Sequence, residues 1–567
     1  MKTGIIRLKR NKFLSEILPV LLFTLIAFAV MGYHPGYEDD GVYLSAINSD
    51  LHPALYPHDA EFFRLQMQAT VFDGVVAQFV RFTHIAVPWA ELLGQLLSLF
   101  LIMWACHSIA GRFFPDARAR WGGLAMVAAM LTLPVAGTAI YLADQNFLPR
   151  NLAAALVLAA VARITAGKRW EAVPLLLAAF AVHPIMAAMG ISFSFFLAAA
   201  LEEPVHVWLR NLRTAFARGA AAAIPLAWVF EGPNRDWLKA LDTRRYLFLY
   251  RWTWYEWLGA LAPLFLFWLL WRLAEKRGQT LLSRFAFAVF VYGLFQQAVA
   301  VVMLTPPAWI RLVPLQPMRY LQLVYYFMAL FAGCLIGQYL LRRRIWAWAI
   351  FLLLVNGTML SAQEVEFQGC PHFEMPWTKP GNPWLQAFAW VRHNTPTNAY
   401  FALNPYYMAI PGEDYHSFRA LAERSQLADG IKDTAVVTQV PELAPVWYRE
   451  VQAQAGWTHF KLADFERLKR EFGVNWVLVS YPAPKGLKCK WHNSLLSVCQ
   501  IPPVSSHQSS HFDAAVSGIR NRDLRGAKLL QHERVKGRDR DEALSVFQFR
   551  KMDERLRQPK EKPQVQQ

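Results

Sequence analysis

The chain has 567 residues, of which 55% are hydrophobic, 14% aromatic and only 17% charged, and its formal net charge is +17. Soluble globular domains average about 45–50% apolar and about 25% charged residues, so this composition excludes a disordered chain and a chain that is soluble throughout. The motifs G-x-G-x-x-G, G-x-x-x-x-G-K-[ST] and H-E-x-x-H are absent from the sequence, which removes the usual support for nucleotide binding and zinc proteolysis.

Long apolar runs dominate the first two thirds of the chain. Each run is long enough for a helix through about 30 Å of hydrocarbon, and the stretch 171–201 predicts two short helices because His183-Pro184 interrupts it. The fold class predicted is a polytopic α-helical membrane protein with about eleven transmembrane helices and a C-terminal extracytoplasmic α/β domain. The spans are predicted near 14–32, 88–111, 122–142, 150–166, 171–201 (two), 217–231, 257–274, 283–304, 319–341 and 344–361.

The distribution of basic residues predicts the orientation in the membrane. Basic loops at 112–120, 163–169, 210–218, 272–277 and 342–344 share a side with the N-terminus, and the positive-inside rule places that side in the cytoplasm. An odd number of crossings then puts the C-terminal part outside. We therefore expect a multi-pass protein of the bacterial inner (cytoplasmic) membrane with a periplasmic C-terminal domain. These loops and a basic tail account for the positive charge, so no nucleic-acid partner is expected.

The sequence changes character at residue 362. Short β-rich pieces at 399–403, 474–480 and 544–549 alternate with helical pieces, which is the pattern of a small α/β domain. We predict a transmembrane domain over 1–361, a periplasmic α/β domain over 362–552 and a disordered polar tail over 553–567.

Two of the five cysteines lie ten residues apart in the predicted outer domain. Cys489 and Cys499 bracket a segment that predicts a hairpin closed by a disulfide, with zinc ligation as the alternative. A disulfide requires an oxidising compartment, which agrees with a periplasmic domain.

The first outer loop, residues 33–87, is long for a connection between membrane helices. It opens with Glu38, Asp39 and Asp40, about one turn beyond a membrane helix. Such carboxylates suit a general base for an acceptor hydroxyl. Asp39 and Asp40 together also suit a divalent cation, Mg²⁺ or Mn²⁺, and no other cofactor is expected. The alternative is a solvated turn that caps the following helix.

The rest of this loop, from Glu61 to about Thr83, mixes apolar and polar residues in the manner of helices that lie in the membrane interface. The alternative is a helix that packs on the outer domain.

Cations on the predicted outer loops run against the positive-inside bias. Arginine forms forked contacts with phosphate oxygens, so the set indicates an anionic lipid headgroup or a pyrophosphate, although any one of them could be a snorkelling or capping residue. Arg319 ranks first because it enters a span rather than flanking it. The predicted donor-phosphate ligands are Arg319, Arg150, Arg311, Arg245 and Arg251.

Other polar residues at the outer ends of spans or on the first loop are candidates for an acceptor site or pocket. Each has a structural alternative, such as a helix-capping turn or a hydrogen-bonded histidine. They are Tyr43, His58, Asp59, Asp144 and His183.

The segment Asp39-Asp40-Gly-Val-Tyr43, an acidic pair followed two residues later by tyrosine, resembles a motif of the integral-membrane C-type glycosyltransferases that use polyprenyl-phosphate sugars. This superfamily includes aminoarabinose transferases, protein O-mannosyltransferases and oligosaccharyltransferases. The layout is similar as well, with about eleven or more helices, a long acidic first outer loop and an outer α/β domain. The phrases at 390–396 and 472–479 look like those of such membrane proteins.

The resemblance implies a polyprenyl-phosphate sugar as donor and a glycan, lipid or protein as acceptor. It implies that Asp39 or Asp40 is the base or metal ligand and that Arg319 contacts the donor phosphate, while the role of Glu38 stays open. The sequence therefore favours a membrane glycosyltransferase that acts on the outer face by inverting displacement. The alternatives are a transporter or flippase for a lipid-linked saccharide, in which repeated halves are common, and a non-catalytic cell-envelope assembly protein.

Overall fold

The computed structural model describes residues 2–202, 233–305, 307–410, 412 and 415–503. The predicted span at 217–231, the predicted strand at 544–549 and the tail at 553–567 lie outside these residues. The described residues up to 501 belong to one compact unit. This unit contains the membrane helices, the loop of residues 33–87 and the part of the chain after residue 361, and we call the last two the first outer loop and the outer domain after their predicted location. A domain boundary near residue 361 stays a prediction.

The described part of the chain before the outer domain is mainly helical. Two short 3₁₀ segments, Pro307–Leu315 and Pro317–Tyr320, precede the thirteenth helix. The helices are α1 (Lys2–Met31), α2 (Asp40–Leu51), α3 (Glu61–Met67), α4 (Phe72–Thr83), α5 (Val87–Phe113), α6 (Ala117–Ala129), α7 (Pro149–Thr165), α8 (Arg169–Val182), α9 (Pro184–Glu202), α10 (Arg235–Asp242), α11 (Trp254–Lys276), α12 (Thr280–Leu304), α13 (Leu321–Leu335) and α14 (Ile345–Glu366).

Six helical stretches among the described residues are long and apolar enough to cross a membrane. They are α5, α9, α11, α12, the stretch Trp309–Leu341 that contains α13, and α14. Helices α6, α7 and α8 have 13, 17 and 14 residues and are shorter. The predicted break at His183-Pro184 is confirmed, since α8 ends before it and α9 begins at the proline.

The span predicted at 122–142 is wrong as a single helix. Helix α6 ends at Ala129, and the chain then forms a short antiparallel hairpin of β1 (Pro134–Val135) and β2 (Ile140–Tyr141). Proline lacks the N–H that a continuing helix needs, and Gly137 adopts φ = +62° in the turn, a conformation that favours glycine. The hairpin turns the chain back before Asp144.

The outer domain is a five-stranded sheet with helices on both faces. Its order is β4-β3-β5-β7-β6, with β3 parallel to β4 and β5, and β7 antiparallel to β5 and β6. The strands are β3 (Tyr400–Ala402), β4 (Ser425–Gln426), β5 (Trp476–Ser480), β6 (Lys488–His492) and β7 (Leu496–Gln500). The helices are α15 (Pro383–Asn394), α16 (Phe418–Ala422), α17 (Lys432–Gln439), α18 (Ala444–Ala453) and α19 (Leu462–Phe472).

Strand β5 shows why this sequence gives a sheet covered on both sides. Successive side chains of a strand point to opposite faces. Trp476 and Leu478 join the core with α15, whereas Val477 and Val479 join the core with α19. On the neighbouring hairpin, Cys489 and Cys499 are paired in register and joined by a disulfide.

The start of the first outer loop is joined to the segments that enter the outer domain. Isolated β-bridges link Tyr33 to Phe373 and Tyr37 to His416, and the Ser417 N–H donates to the Gly36 carbonyl at 2.9 Å. The loop backbone therefore has a fixed position relative to the outer domain.

The two predicted interface helices differ in their surroundings. On α3, Phe62 and Phe63 are fully buried, and the Phe63 ring packs edge-on against Tyr56 at 5.2 Å. The Arg419 guanidinium of α16 lies over the Phe62 ring, so α3 agrees with the alternative of a helix that packs on the outer domain. Helix α4 leaves Phe79 and Phe82 exposed, which suits contact with a membrane interface.

Helices α6 and α13 approach closely because glycine lies on both sides of their contact. A Cβ on Gly122 would lie 2.4 Å from the Gly333 carbonyl oxygen, and a Cβ on Gly333 would lie 2.3 Å from that of Gly122. Small residues that allow backbones to touch are a common device in membrane helix packing.

We expect Gly122→Ala to lower the melting temperature of the detergent-purified protein in scanning fluorimetry. The added methyl group must push two backbones apart, and overpacking costs about 1–3 kcal/mol. Gly357→Ala on α14 is the matched control, because nothing lies within 4 Å of its added Cβ. Equal melting temperatures for both variants would contradict this close contact.

Candidate functional site

A cavity of about 1070 Å³ lies among the first outer loop, the outer ends of the membrane helices and α17. Its wall combines apolar residues from the β1–β2 hairpin with ionisable residues from distant parts of the chain. The charged and polar residues of the lining include Glu38, Asp39, Tyr43, Asp144, Arg150, His183, Arg244, Arg245, Arg319 and Lys432.

A chain of ion pairs crosses the cavity wall. The buried guanidinium of Arg150 grips Asp144 through two bonds, Nε–Oδ2 at 2.6 Å and Nη2–Oδ1 at 2.7 Å. Its third nitrogen reaches Asp39 Oδ2 at 3.0 Å. The other oxygen of Asp39 accepts from Lys432 Nζ at 3.0 Å, and Lys432 also pairs with Glu38. Forked, charge-assisted contacts of this type fix orientation as well as charge.

The position of Asp144 is set by its own backbone. Its N–H donates to Asn151 Oδ1 at 3.0 Å, and its carbonyl accepts from Gln95 Nε2 at 2.8 Å. Asn151 and Arg150 lie in the first turn of α7, which Pro149 begins, and proline is favoured at that position. The hairpin, α5 and α7 therefore hold the Asp144–Arg150 pair together.

Asp39 and Asp40 are neighbours in sequence but face different surroundings. The Asp39 side chain is 36% exposed and lines the cavity. Asp40 is fully buried and does not line it, and its Oδ2 accepts the Gly36 N–H at 2.6 Å. Asp39 is therefore the acid that a bound molecule can reach, while Asp40 holds the loop.

A second buried carboxyl, Glu91 of α5, lies beside Asp40. Among the described residues, no donor reaches either Glu91 oxygen or Asp40 Oδ1. Burial raises the pKa of Asp40 to about 7, because an apolar environment disfavours the charged form. The sequence does not identify Glu91 as a site residue, because nothing in the pattern distinguishes it from an ordinary residue near the start of a span.

Two arginines of the cavity, Arg319 and Arg244, have no carboxylate within ion-pair distance in the described part of the chain, and the Nε of each is buried without a hydrogen-bond partner. Arg244 donates to the Ile431 carbonyl, whereas Arg245 pairs with Glu256 at 3.0 Å. The Arg319 guanidinium is therefore available to an anion that enters the cavity.

The structure brings together some of the predicted site residues and separates others. Glu38, Asp39, Tyr43, Asp144, Arg150, His183, Arg245 and Arg319 line the cavity. Arg251 pairs with Asp242 and, like Arg311, is not part of the lining.

His58 and Asp59 attach the first outer loop to the sheet instead of lining the cavity. The His58 ring stacks on Tyr400 at 4.4 Å, and Asp59 accepts a hydrogen bond from the Tyr400 hydroxyl. Their contacts are those of an anchor between loop and domain.

The arrangement does not fit the divalent-cation site predicted at Asp39 and Asp40. Each Asp39 oxygen already faces a cation, Arg150 or Lys432, and Asp40 is turned away from the cavity. Hard cations take several oxygen ligands without competing positive charge beside them.

Comparisons with known proteins give a distant structural likeness. No family model matches the chain, and no curated protein matches it. Among solved structures it is similar to the Archaeoglobus fulgidus oligosaccharyltransferase in its apo form, with 12% identity and a TM-score of 0.44 over 82% of this chain and 70% of that chain.

Two further structures of that archaeal enzyme are also similar. One is tethered to an acceptor peptide containing the NVT sequon, with 14% identity and a TM-score of 0.40 over 82% of this chain and 69% of that chain. The other is in complex with an inhibitory peptide and a dolichol-phosphate, with 12% identity and a TM-score of 0.36 over 83% and 70%. All three structures are of an oligosaccharyltransferase. At these TM-scores the likeness is distant.

The buried state of Asp40 predicts a specific pH dependence of stability. An unfolded chain releases this proton near pH 4, whereas the folded protein keeps it to about pH 7. Stability conferred by the protonated carboxyl is therefore lost as pH rises through this window, by at most about 1.4 kcal/mol per pH unit. Asp40→Asn stays neutral, so its melting temperature should fall less than that of the wild type between pH 5 and pH 8.

Asp50→Asn is the control, since Asp50 lies exposed on the same helix α2. Thermal unfolding at pH 5, 6, 7 and 8 measures all three proteins. Parallel curves for wild type and Asp40→Asn would show that Asp40 is ionised in the folded protein.

Proposed function

We propose that this protein is a membrane glycosyltransferase that moves a sugar from a polyprenyl-phosphate donor to an acceptor hydroxyl by inverting displacement. The proposal rests on two oppositely charged groups that line one cavity. Arg319 is a cation without a carboxylate partner in the described chain, and Asp39 is an accessible carboxylate. The proposal includes the orientation inferred from the basic loops, with the N-terminus in the cytoplasm and the cavity on the periplasmic side. A disulfide in the outer domain supports an oxidising compartment.

The donor phosphate would bind at Arg319. A guanidinium matches phosphate oxygens in a planar fork, and a donor aimed at the leaving phosphate stabilises the charge that develops as the bond to the sugar breaks. Tyr255 lines the cavity and is also exposed at the start of α11. The cavity therefore borders a surface from which a lipid chain can enter.

The acceptor hydroxyl would bind at Asp39. In the transfer step the hydroxyl oxygen bonds to the anomeric carbon, the bond from that carbon to the phosphate oxygen breaks, and the electron pair leaves with the phosphate. Asp39 takes the hydroxyl proton, as a positioned general base does. Arg150 and Lys432 hold the carboxylate in place on one side while its accessible face meets the acceptor.

A single displacement inverts the sugar and needs no covalent intermediate. A retaining mechanism needs a second carboxylate as nucleophile close to the first. Of the other carboxylates of this wall, Glu38, Asp144 and Glu256 are paired with Lys432, Arg150 and Arg245, and Glu366 accepts from the Tyr37 and Tyr141 hydroxyls. The proposal assigns none of them the role of nucleophile, so the transfer is written as a single displacement.

Native mass spectrometry of the detergent-purified protein tests the donor end. We expect wild type to carry or take up polyprenyl phosphate, and Arg319→Ala to lose it, because the variant removes the only cavity arginine that we assign to the phosphate. Arg272→Ala is the control, an exposed arginine that pairs with Glu275 near the end of α11. A wild-type protein that binds no lipid, even after polyprenyl phosphate is added, would sink the donor assignment.

Asp39→Asn tests the acceptor end. Loss of a general base costs about 10²- to 10⁴-fold in rate, so we expect transfer from the co-purified lipid-linked sugar to bacterial membranes to fall by that factor. Polyprenyl phosphate binding should remain, and Asp50→Asn should behave as wild type. A variant with full transfer would exclude Asp39 as the base, and a loss of lipid binding as well would point to a structural role.

A further inference from the structure

Three polar residues from distant segments meet in a buried cluster outside the cavity. His34 follows α1, Glu374 follows α14, and His416 precedes α16. One oxygen of Glu374, Oε2, lies 3.1 Å from His34 Nδ1 and 2.8 Å from His416 Nε2. The two histidine side chains are 0% and 1% exposed, and Glu374 is 10% exposed.

We propose that His34, Glu374 and His416 bind one Zn²⁺ ion. Their ligand atoms all lie within 4.8 Å of one another. Tetrahedral zinc with ligands at about 2.0–2.2 Å separates neighbouring ligand atoms by about 3.3–3.6 Å, so small side-chain shifts would admit the ion. Two histidines and one carboxylate are a donor set that zinc takes, with a fourth position left for water.

Two details of the cluster indicate a built site. The His34 ring lies flat on Phe367, with centroids 3.7 Å apart and planes 6° apart, so packing fixes its orientation before any ion binds. The second oxygen of Glu374, Oε1, is buried and has no hydrogen-bond partner among the described residues. An unsatisfied buried carboxylate oxygen is costly, and a cation beside the carboxylate would offset that cost.

The ion would join three segments whose backbones already touch. The Glu374 N–H donates to the Tyr33 carbonyl at 2.9 Å, and the Glu38 N–H donates to the Tyr415 carbonyl at 3.1 Å. Zinc at this point would hold the loop that carries Asp39 against the end of α14 and the outer domain. This role is structural, it is separate from Asp39 and Asp40, and it holds whether or not the proposed transferase activity is correct.

The competing arrangement is a carboxylate hydrogen-bonded to two histidines without a metal. The two differ in measurable ways. Zinc content and a response to chelator belong only to the metal site, whereas the hydrogen-bonded cluster needs neither. Glu374→Gln keeps the size of the side chain and an oxygen acceptor, so it disturbs the hydrogen-bonded arrangement least while removing the charge that zinc requires.

The test is elemental analysis of the tag-free, full-length protein after incubation with Zn²⁺ and removal of excess metal. We expect roughly one zinc per chain in the wild type and at least a tenfold lower content in Glu374→Gln and in His416→Asn. His58→Asn is the matched control, a histidine of the same loop that stacks on Tyr400, and it should keep its zinc. Chelator should lower the melting temperature of the wild type and leave that of Glu374→Gln unchanged.

Should a variant fail to fold, the wild type alone decides the question. Replacing zinc by Co²⁺ should give the visible absorption of a tetrahedral cobalt centre with nitrogen and oxygen ligands. A wild-type protein that takes up no zinc, gives no cobalt spectrum and melts at the same temperature with chelator overturns the proposal. Zinc retained in full by a folded Glu374→Gln overturns it as well.

Discussion

The site depends on the ion pairs of the buried Arg150 guanidinium. The guanidinium is bonded to Asp144 on one side and to Asp39 on the other. A buried charge that loses a partner costs about 3–5 kcal/mol, so each carboxylate is held where the arginine places it. Through Asp39 the same network reaches Lys432 in the outer domain. Membrane helices, first outer loop and outer domain thus meet at one network of ion pairs.

The adjacent acids Asp39 and Asp40 differ in their relation to this network. Asp39 is balanced by cations and stays open to the cavity, while Asp40 lies in an apolar environment beside Glu91, where burial raises its pKa to about 7. One acid stays accessible from the cavity, and the other keeps the loop that carries it in position.

The structural features that depend on a local sequence pattern could be predicted from the sequence. Apolar length located the long helices, His183-Pro184 located the break between α8 and α9, and the placement of Arg319 inside a span identified a cation of the cavity. The hairpin at 134–141 was missed because the run 122–142 is apolar throughout, and hydropathy does not distinguish a helix from a turn. Pro134 and Gly137 were the available signals.

What the sequence could not predict depends on contacts between distant segments. Asp39 and Asp40 are equivalent in the motif, and only burial separates them. Lys432 lies 393 residues beyond Asp39, and the partners of His34 lie on either side of the outer domain's first helix. No spacing rule links such residues, because their proximity follows from the tertiary fold.

The same separation along the chain has a consequence for biosynthesis. A ribosome that adds about 5–20 residues per second needs about 20–80 s to make the stretch between Asp39 and Lys432. During that time the first outer loop has been made, but the lysine that completes its charge network has not. The cavity wall can close only after the outer domain emerges, so a truncated chain, however well inserted, carries an unfinished site.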